Sequence, residues 1–240
     1  MNYTVQVNEV KNTDGNIRAF ASVVFGECFK ITNIAILENK EKGQLFVSMP
    51  RYRSNQRNED NEPVYKDVCN PITKEFREEL YSLILQAYKN VKNKTGEKQV
   101  EKTEDDKAEG QGNAGIEFSV SVTMLEREDS DIKGLARIFI ENCFVINNVS
   151  IIQGKENLFV AMPSYKTKKV DGNNKPIYHD VCHPITKEFR EVLYTEILKK
   201  HEQFRDKKMD GVTEETVLDS ARKCEEKDYQ AVQSKREPGR

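Results

Sequence analysis

The sequence predicts an α+β protein built as a tandem duplicated domain, each copy a roughly five-stranded antiparallel sheet covered by one C-terminal helix. Three observations carry this. Asp67-Val68-Cys69-Asn70-Pro71-Ile72-Thr73-Lys74-Glu75-Phe76-Arg77-Glu78 recurs as Asp180-Val181-Cys182-His183-Pro184-Ile185-Thr186-Lys187-Glu188-Phe189-Arg190-Glu191, with Asn70 against His183 the one difference. The repeat is domain-sized, unlike the 20–50-residue units of solenoids. Upstream of each copy the apolar residues alternate with period two, and downstream they adopt helical spacing.

In copy one, Tyr3, Val5 and Val7 open the first strand, and Asp14-Gly15 between strand-like runs signals a hairpin turn. Ile17 to Phe25 is β-branched and aromatic. Gly26-Glu27 makes a tight turn into a third strand, Cys28 to Leu37, and Glu38 to Gly43 is a polar loop. Leu45 to Met49 is a fourth strand that ends at Pro50. Arg51 to Pro63 is polar and turn-rich and is expected to project as an extended hairpin arm, returning through a fifth strand, Val64 to Cys69. Pro71 precedes a helix for which Thr73 is the expected N-cap. Its apolar stripe is Phe76, Leu80, Leu83, Ile84, Ala87 and Val91.

Residues 1–93 thus form copy one and 116–205 copy two. Residues 94–115 lack apolar periodicity and read as a flexible linker. Copy two repeats each element: Phe118, Val120 and Val122 match the first strand, and Phe189, Leu193, Ile197, His201 and Phe204 match the helix stripe. The offset between copies is 115 at Cys28/Cys143 and 113 from Phe46/Phe159 onward, so the intervening surface loop is two residues shorter in copy two. Residues 206–240 have no counterpart. Thr213 could cap a marginal helix carrying Val217, Leu218, Ala221 and Cys224; disorder is the alternative.

No run of eighteen apolar residues predicts a membrane span, and the first residues show no secretory pattern, so an intracellular, cytoplasmic location is expected. Of the five cysteines, four are matched pairs (Cys28/Cys143 and Cys69/Cys182) and Cys224 stands alone, which favours buried reduced thiols. The net charge of −2 divides into +1 for residues 1–93 (13 basic, 12 acidic), −2 for 94–115 (4, 6), 0 for 116–205 (13, 13) and −1 for 206–240 (8, 9). Any nucleic-acid site must therefore be a local patch.

Asn12-Thr13-Asp14-Gly15-Asn16-Ile17-Arg18-Ala19, Leu45-Phe46-Val47-Ser48-Met49-Pro50 and Asp67-Val68-Cys69-Asn70-Pro71-Ile72 resemble the stage V sporulation protein G (SpoVG, septation regulator) family. Phe159-Val160-Ala161-Met162-Pro163-Ser164 and His183-Pro184-Ile185 match its motif more closely. The resemblance covers about residues 3–92 and 118–204. It implies small antiparallel sheets with a C-terminal helix, usually paired as homodimers, and a role in bacterial septation, sporulation and gene regulation through binding to DNA and RNA. After Met-Pro the family carries Ser-Lys-Arg. A basic residue keeps the Arg place at Arg53 and Lys166, while Tyr52 and Tyr165 replace the Lys.

The residues expected to contact nucleic acid are Arg51, Tyr52, Arg53 and Arg57 in the first arm and Tyr165, Lys166, Lys168 and Lys169 in the second. Lys74, Arg77, Lys187 and Arg190 at the helix starts complete the set. Cations neutralise phosphate, a tyrosine ring stacks on a base, and helix N-termini favour anions. The competing reading is a solvated hairpin whose cations balance Glu59, Asp60 and Glu62. The tandem would replace a homodimer: a linker of this length spans roughly 25 Å and holds the copies near millimolar effective concentration. The alternative function is a protein-interaction module in cell-division control. His179, Cys182 and His183 could attract a transition metal, but copy one has Lys66, Cys69 and Asn70 there, so neither metal nor cofactor is expected. Nor is there a catalytic motif; Asp67 and Asp180 are isolated acids, and no enzyme is expected.

Overall fold

A computed structural model describes residues 2–10, 15–93, 99–102, 116–125 and 129–209. Copy one contributes β1 (Tyr3–Glu9), β2 (Ile17–Phe25), β3 (Phe29–Glu38), β4 (Leu45–Ser48), β5 (Arg51–Arg57), β6 (Pro63–Asp67), β7 (Cys69–Pro71) and α1 (Lys74–Asn93). β8 (Gln99–Lys102) follows. Copy two contributes β9 (Phe118–Met124), β10 (Ile132–Ile140), β11 (Phe144–Gln153), β12 (Leu158–Ala161), β13 (Ser164–Val170), β14 (Pro176–Asp180), β15 (Cys182–Pro184) and α2 (Lys187–Met209). Each unit is an antiparallel sheet with one C-terminal helix, the α+β duplication that the sequence announces.

The expected elements differ from the observed ones in four places. The fifth strand of each copy is divided at Val68 and Val181 into an arm strand and a separate three-residue strand. Residues Gln99–Lys102, inside the expected linker, pair antiparallel with β1, Val5 opposite Val100. Helix α2 continues to Met209, past the expected boundary at 205. The fourth difference concerns ownership: neither main sheet is complete within its own copy. β7 of copy one pairs with β11 of copy two (Ile146 opposite Cys69), and β15 of copy two pairs with β3 of copy one (Ile31 opposite Cys182). The Asp14 side of the expected first hairpin turn and the Thr213–Cys224 stretch lie outside the described residues.

The exchange works because β3 shares one edge between two partners. β15 takes Phe29 to Ile31, and β4 takes Ala35 to Glu38. Between them Thr32-Asn33 oppose Ser22 alone, a bulge with Asn33 at φ 60. Asn147-Asn148 repeat the device in β11, with Asn148 at φ 58. Asparagine tolerates this left-handed conformation better than most residues. The bulge ends one pairing and starts the other, so a strand from each copy fits on one edge.

Burial follows. One apolar core runs through both copies. Phe76 of α1 meets Phe144 of β11 edge-on at 6.4 Å, and Phe189 of α2 meets Phe29 of β3 at 6.2 Å. Cys69 and Cys182 are fully buried on the crossing strands. Desolvation pushes both thiols up, with the mutual repulsion of the two sulfurs adding to the shift at Cys69. Cys143 is raised to about 11, mainly by burial. The described cysteines are thus free thiols that behave as small apolar residues.

Two local features make testable differences between the copies. Both β2–β3-type connections are three-residue loops closed by a cysteine amide, Cys28 to the Phe25 carbonyl and Cys143 to the Ile140 carbonyl, with positive φ at the first two positions: Gly26 and Glu27 in one copy, Glu141 and Asn142 in the other. Since Glu141 adopts φ 50, that conformation alone does not demand glycine. Ile116 does: its Cγ2 lies 2.5 Å from where a Gly26 Cβ would stand. Gly26→Ala is expected to cost about 1–3 kcal/mol of stability. In an Ile116→Ala background, itself destabilised by the lost core side chain, Gly26→Ala should cost less, measured by denaturant unfolding of the four proteins of the cycle.

The second feature is His201, 3% exposed and with no hydrogen-bond partner at either ring nitrogen. Tyr88 holds the matching place in α1. Burial lowers the imidazole's affinity for a proton, and the nearby Lys133 backbone opposes this only in part. With a folded-state value below the ordinary 6.5, the stabilising contribution is complete above that pH and is lost as pH falls below it. His201→Leu should flatten the decline in unfolding free energy between about pH 7 and 5. An unchanged slope would assign the decline to other groups.

Candidate nucleic-acid interface

Each arm is a two-stranded antiparallel hairpin, β5 with β6 and β13 with β14. Their tips are closed by asparagines in the left-handed region, Asn61 at φ 60 and Asn174 at φ 61. At the base, the Val68 amide donates to the Pro50 carbonyl at 2.8 Å, and Val181 repeats the bond to Pro163 at 2.8 Å. Each base is also anchored on the other copy's bulge. Asn147 donates its amide to the Val68 carbonyl at 2.8 Å and its side chain to the Asp67 carbonyl at 3.3 Å. Thr32 donates its amide to the Val181 carbonyl at 2.8 Å, and its hydroxyl lies 3.1–3.2 Å from the Val181 and Asp180 carbonyls. The direction in which an arm leaves one copy is therefore set by the partner copy.

Cross-strand register sorts the arm side chains by face, because opposite residues in an antiparallel pair share one face. Arg53 stands opposite Tyr65, and Lys166 opposite Tyr178. On the other face Tyr52 stands opposite Lys66 and Tyr165 opposite His179. Both faces of both arms thus carry a ring beside a nitrogen base. Tyr65 and Tyr178 are 58% and 59% exposed. Tyr165 and His179 are stacked, 6.1 Å between centroids at 29°. The linear sequence misses Tyr65, Lys66, Tyr178 and His179, because their partners lie about a dozen residues away across the hairpin. Folding each arm in register from its turn would miss them as well, because the register shifts by two residues between Arg53 and Arg57 and between Lys166 and Val170.

The expected site residues divide by what already holds them. Arg51 donates to Asp67 at 2.8 Å, and Arg57 donates to the Asn61 carbonyl at 2.6 Å. Arg77 and Arg190 reach back to the carbonyls of Pro71 and Pro184 at 3.0 and 3.1 Å, so they tie each helix to its crossing strand. Lys74 and Lys187 are exposed beside Glu78 and Glu191, at 3.8 and 3.7 Å. Thr73 and Thr186 cap the helices through the amides of Phe76 and Phe189, each at 3.3 Å. Arg53, Lys166 and Lys169 project from exposed arm positions, and Lys168 lies in β13. In copy one, Arg51, Asp67 and Arg77 all act on the Tyr81 hydroxyl, whose pKa is raised chiefly by burial. The arm base and the helix start are therefore neighbours there.

Between β3 and the second arm lies a cleft of about 400 Å³, bordered by Asn33, Tyr165, Tyr178, His179 and His183. The His183 Nδ1 is buried there without a hydrogen-bond partner. Strand alternation sends Cys182 into the core instead, away from the imidazoles. Among the described residues no three His, Cys, Asp or Glu side chains are grouped to hold a metal, and no helix is long and apolar enough to cross a membrane.

Comparison with known proteins gives this architecture a lineage. A protein of Phytoplasma australiense named "Putative septation protein SpoVG" is 38% identical over 74 residues, 31% of this chain and 71% of the relative. Proteins of the same name from Caldicellulosiruptor saccharolyticus and Borreliella afzelii are 34% and 32% identical, over 74% and 80% of their own lengths but only 30% and 34% of this chain. Such relatives are little longer than one copy. The SpoVG family pattern matches twice, over residues 1–90 and 117–203. The shared sequence, the repeated sheet-and-helix unit and the double match establish that the chain belongs to the SpoVG family.

Proposed function

We propose that this chain is a nucleic-acid-binding regulator of the septation type, a tandem whose two SpoVG units occupy the places of two subunits. The observation that supports it most is the repeated pairing of a cation with an exposed tyrosine on one arm face, Arg53 with Tyr65 and Lys166 with Tyr178. Phosphate attraction and base stacking then act from the same surface. The second arm (residues 164–180) carries four lysines against two acidic residues, whereas the first (51–67) balances four basic with four acidic residues, so the local excess of positive charge lies on the second arm. Septation enters from the names of the relatives, and DNA and RNA from what the family resemblance implies, which the chemistry of the arms supports.

Gel-shift titration at two salt concentrations tests this. Binding should weaken as salt rises, and Arg53→Ala/Lys166→Ala should reduce the slope of log affinity against log salt by roughly 1–2. Absence of a shift, or affinity indifferent to salt, would overturn the reading.

A second reading, a protein-interaction module in cell-division control, draws on the engagement of Arg51, Arg57, Arg77 and Arg190 within the fold, together with paired apolar exposure. Phe46 and Phe159 occupy matching places and are 46% and 48% exposed. Partners that remain bound after nuclease treatment would favour it.

A further inference from the structure

Strand β9 is an edge strand built without the usual guards. It pairs with β10 on one side, and among the described residues nothing pairs with its other side. The matching strand of copy one, β1, is covered on that side by β8. Edge strands are commonly kept apart by lysine, proline or a bulge. Phe118–Met124 contains no charge and no proline, and its register against β10 is unbroken. Such an edge presents a regular row of amides and carbonyls to a partner strand.

Helix α2 carries a charge pattern beside that edge. A groove of about 570 Å³ runs between β9 and α2, bordered on the helix by Glu191, Val192, Thr195, Glu196, Lys199 and Lys200. This stripe is acidic in its first half and basic in its second, and Val192 is 54% exposed. In copy one Leu83, Gln86 and Ala87 stand at the places of Glu196, Lys199 and Lys200. The split stripe thus belongs to the copy whose edge is open. Within α2, Glu191 lies 3.7 Å from Lys187, an exposed pair that adds little stability and is readily rearranged.

We propose that two molecules of this chain pair through β9, joining their copy-two sheets edge to edge and laying α2 against α2 of the second molecule. The symmetry of the surface selects this occupant. The Phe118 ring meets Phe189 at 5.4 Å, and Gly134, opposite Met124, lies against the His201 ring. β9 and α2 therefore run in the same direction, and Ser121, the middle of β9, is level with Thr195, in the middle of the stripe. A two-fold axis through Ser121 sets Val120 opposite Val122 and Ser119 opposite Thr123 of the second molecule, like against like. The same axis makes the helices antiparallel, so the acidic half of each stripe faces the basic half of the other, Glu191 toward Lys200. A strand of other sequence would gain the backbone bonds but not both matches. The function proposed above does not enter the argument.

Sedimentation equilibrium of the full chain tests it. The mass should rise with concentration toward twice 27.7 kDa and fall back as salt screens the stripes. Glu191→Lys/Glu196→Lys makes the stripe wholly basic, and Lys199→Glu/Lys200→Glu makes it wholly acidic. Each variant alone should self-associate at least about tenfold more weakly, because like charges then meet across the axis. An equimolar mixture of the two should recover the dimer. Ser121→Lys sets two like charges opposite each other at the axis and should also weaken the pairing. Circular dichroism checks that each variant keeps the parent's fold. A parent that stays monomeric at submillimolar concentration would overturn the proposal. So would a mixture that fails to recover the dimer, or a dimer that Ser121→Lys leaves intact, which places the contact elsewhere than β9.

Discussion

Phe144→Ala should destabilise the whole chain by about 3–5 kcal/mol, the usual cost of removing a fully buried phenylalanine. Phe144 belongs to copy two by sequence, yet its ring lies 5.3 Å from Phe25 and 6.4 Å from Phe76, both in copy one. The loss should therefore appear in a single unfolding transition that includes both copies, followed by circular dichroism and by calorimetry. Phe29→Ala should act in the same way from the other side, through Phe189. In a double-mutant cycle Phe76→Ala and Phe144→Ala should be non-additive by roughly 0.5–3 kcal/mol, as for residues in contact. Two separable transitions, with only the second moved by Phe144→Ala, would contradict a shared core.

The largest effect on binding is expected at the arm tyrosines. Tyr65→Ala/Tyr178→Ala should weaken single-stranded nucleic acid by roughly 1–3 kcal/mol for each ring that stacks on a base, while leaving the salt slope unchanged. Both rings are more than half exposed, so thermal stability should move little. The contrast with Arg53→Ala/Lys166→Ala is the informative part: one pair lowers affinity at constant slope, the other lowers the slope. Tyrosine variants that bind like the parent would remove stacking from the mechanism and leave a purely electrostatic arm.

The duplication, most of the strands, the helix stripe with its Thr73 cap, and the projecting arms are all legible in the letters. Each is a local property: period two, period 3.6, a capping hydroxyl, a polar run between prolines. The family followed from motifs that are contiguous in sequence. The arm cations were legible too, as residue types. Their engagement was not, since Arg77 reaching the Pro71 carbonyl, or Arg51 reaching Asp67, depends on how the chain returns upon itself.

Local pattern could not show which copy owns which strand. Asp67 to Pro71 reads as the end of a strand before a helix whether it pairs within its own sheet or with the other one. The bulges at Thr32-Asn33 and Asn147-Asn148 divide an edge so that two strands can share it, and the Phe76–Phe144 and Phe29–Phe189 contacts reward the exchange with burial. Sequence alone determined that there are two similar units and what each is made of. The tertiary structure decided that they complete each other, because hydrogen-bonding edges and apolar faces find their partners in space and not along the chain.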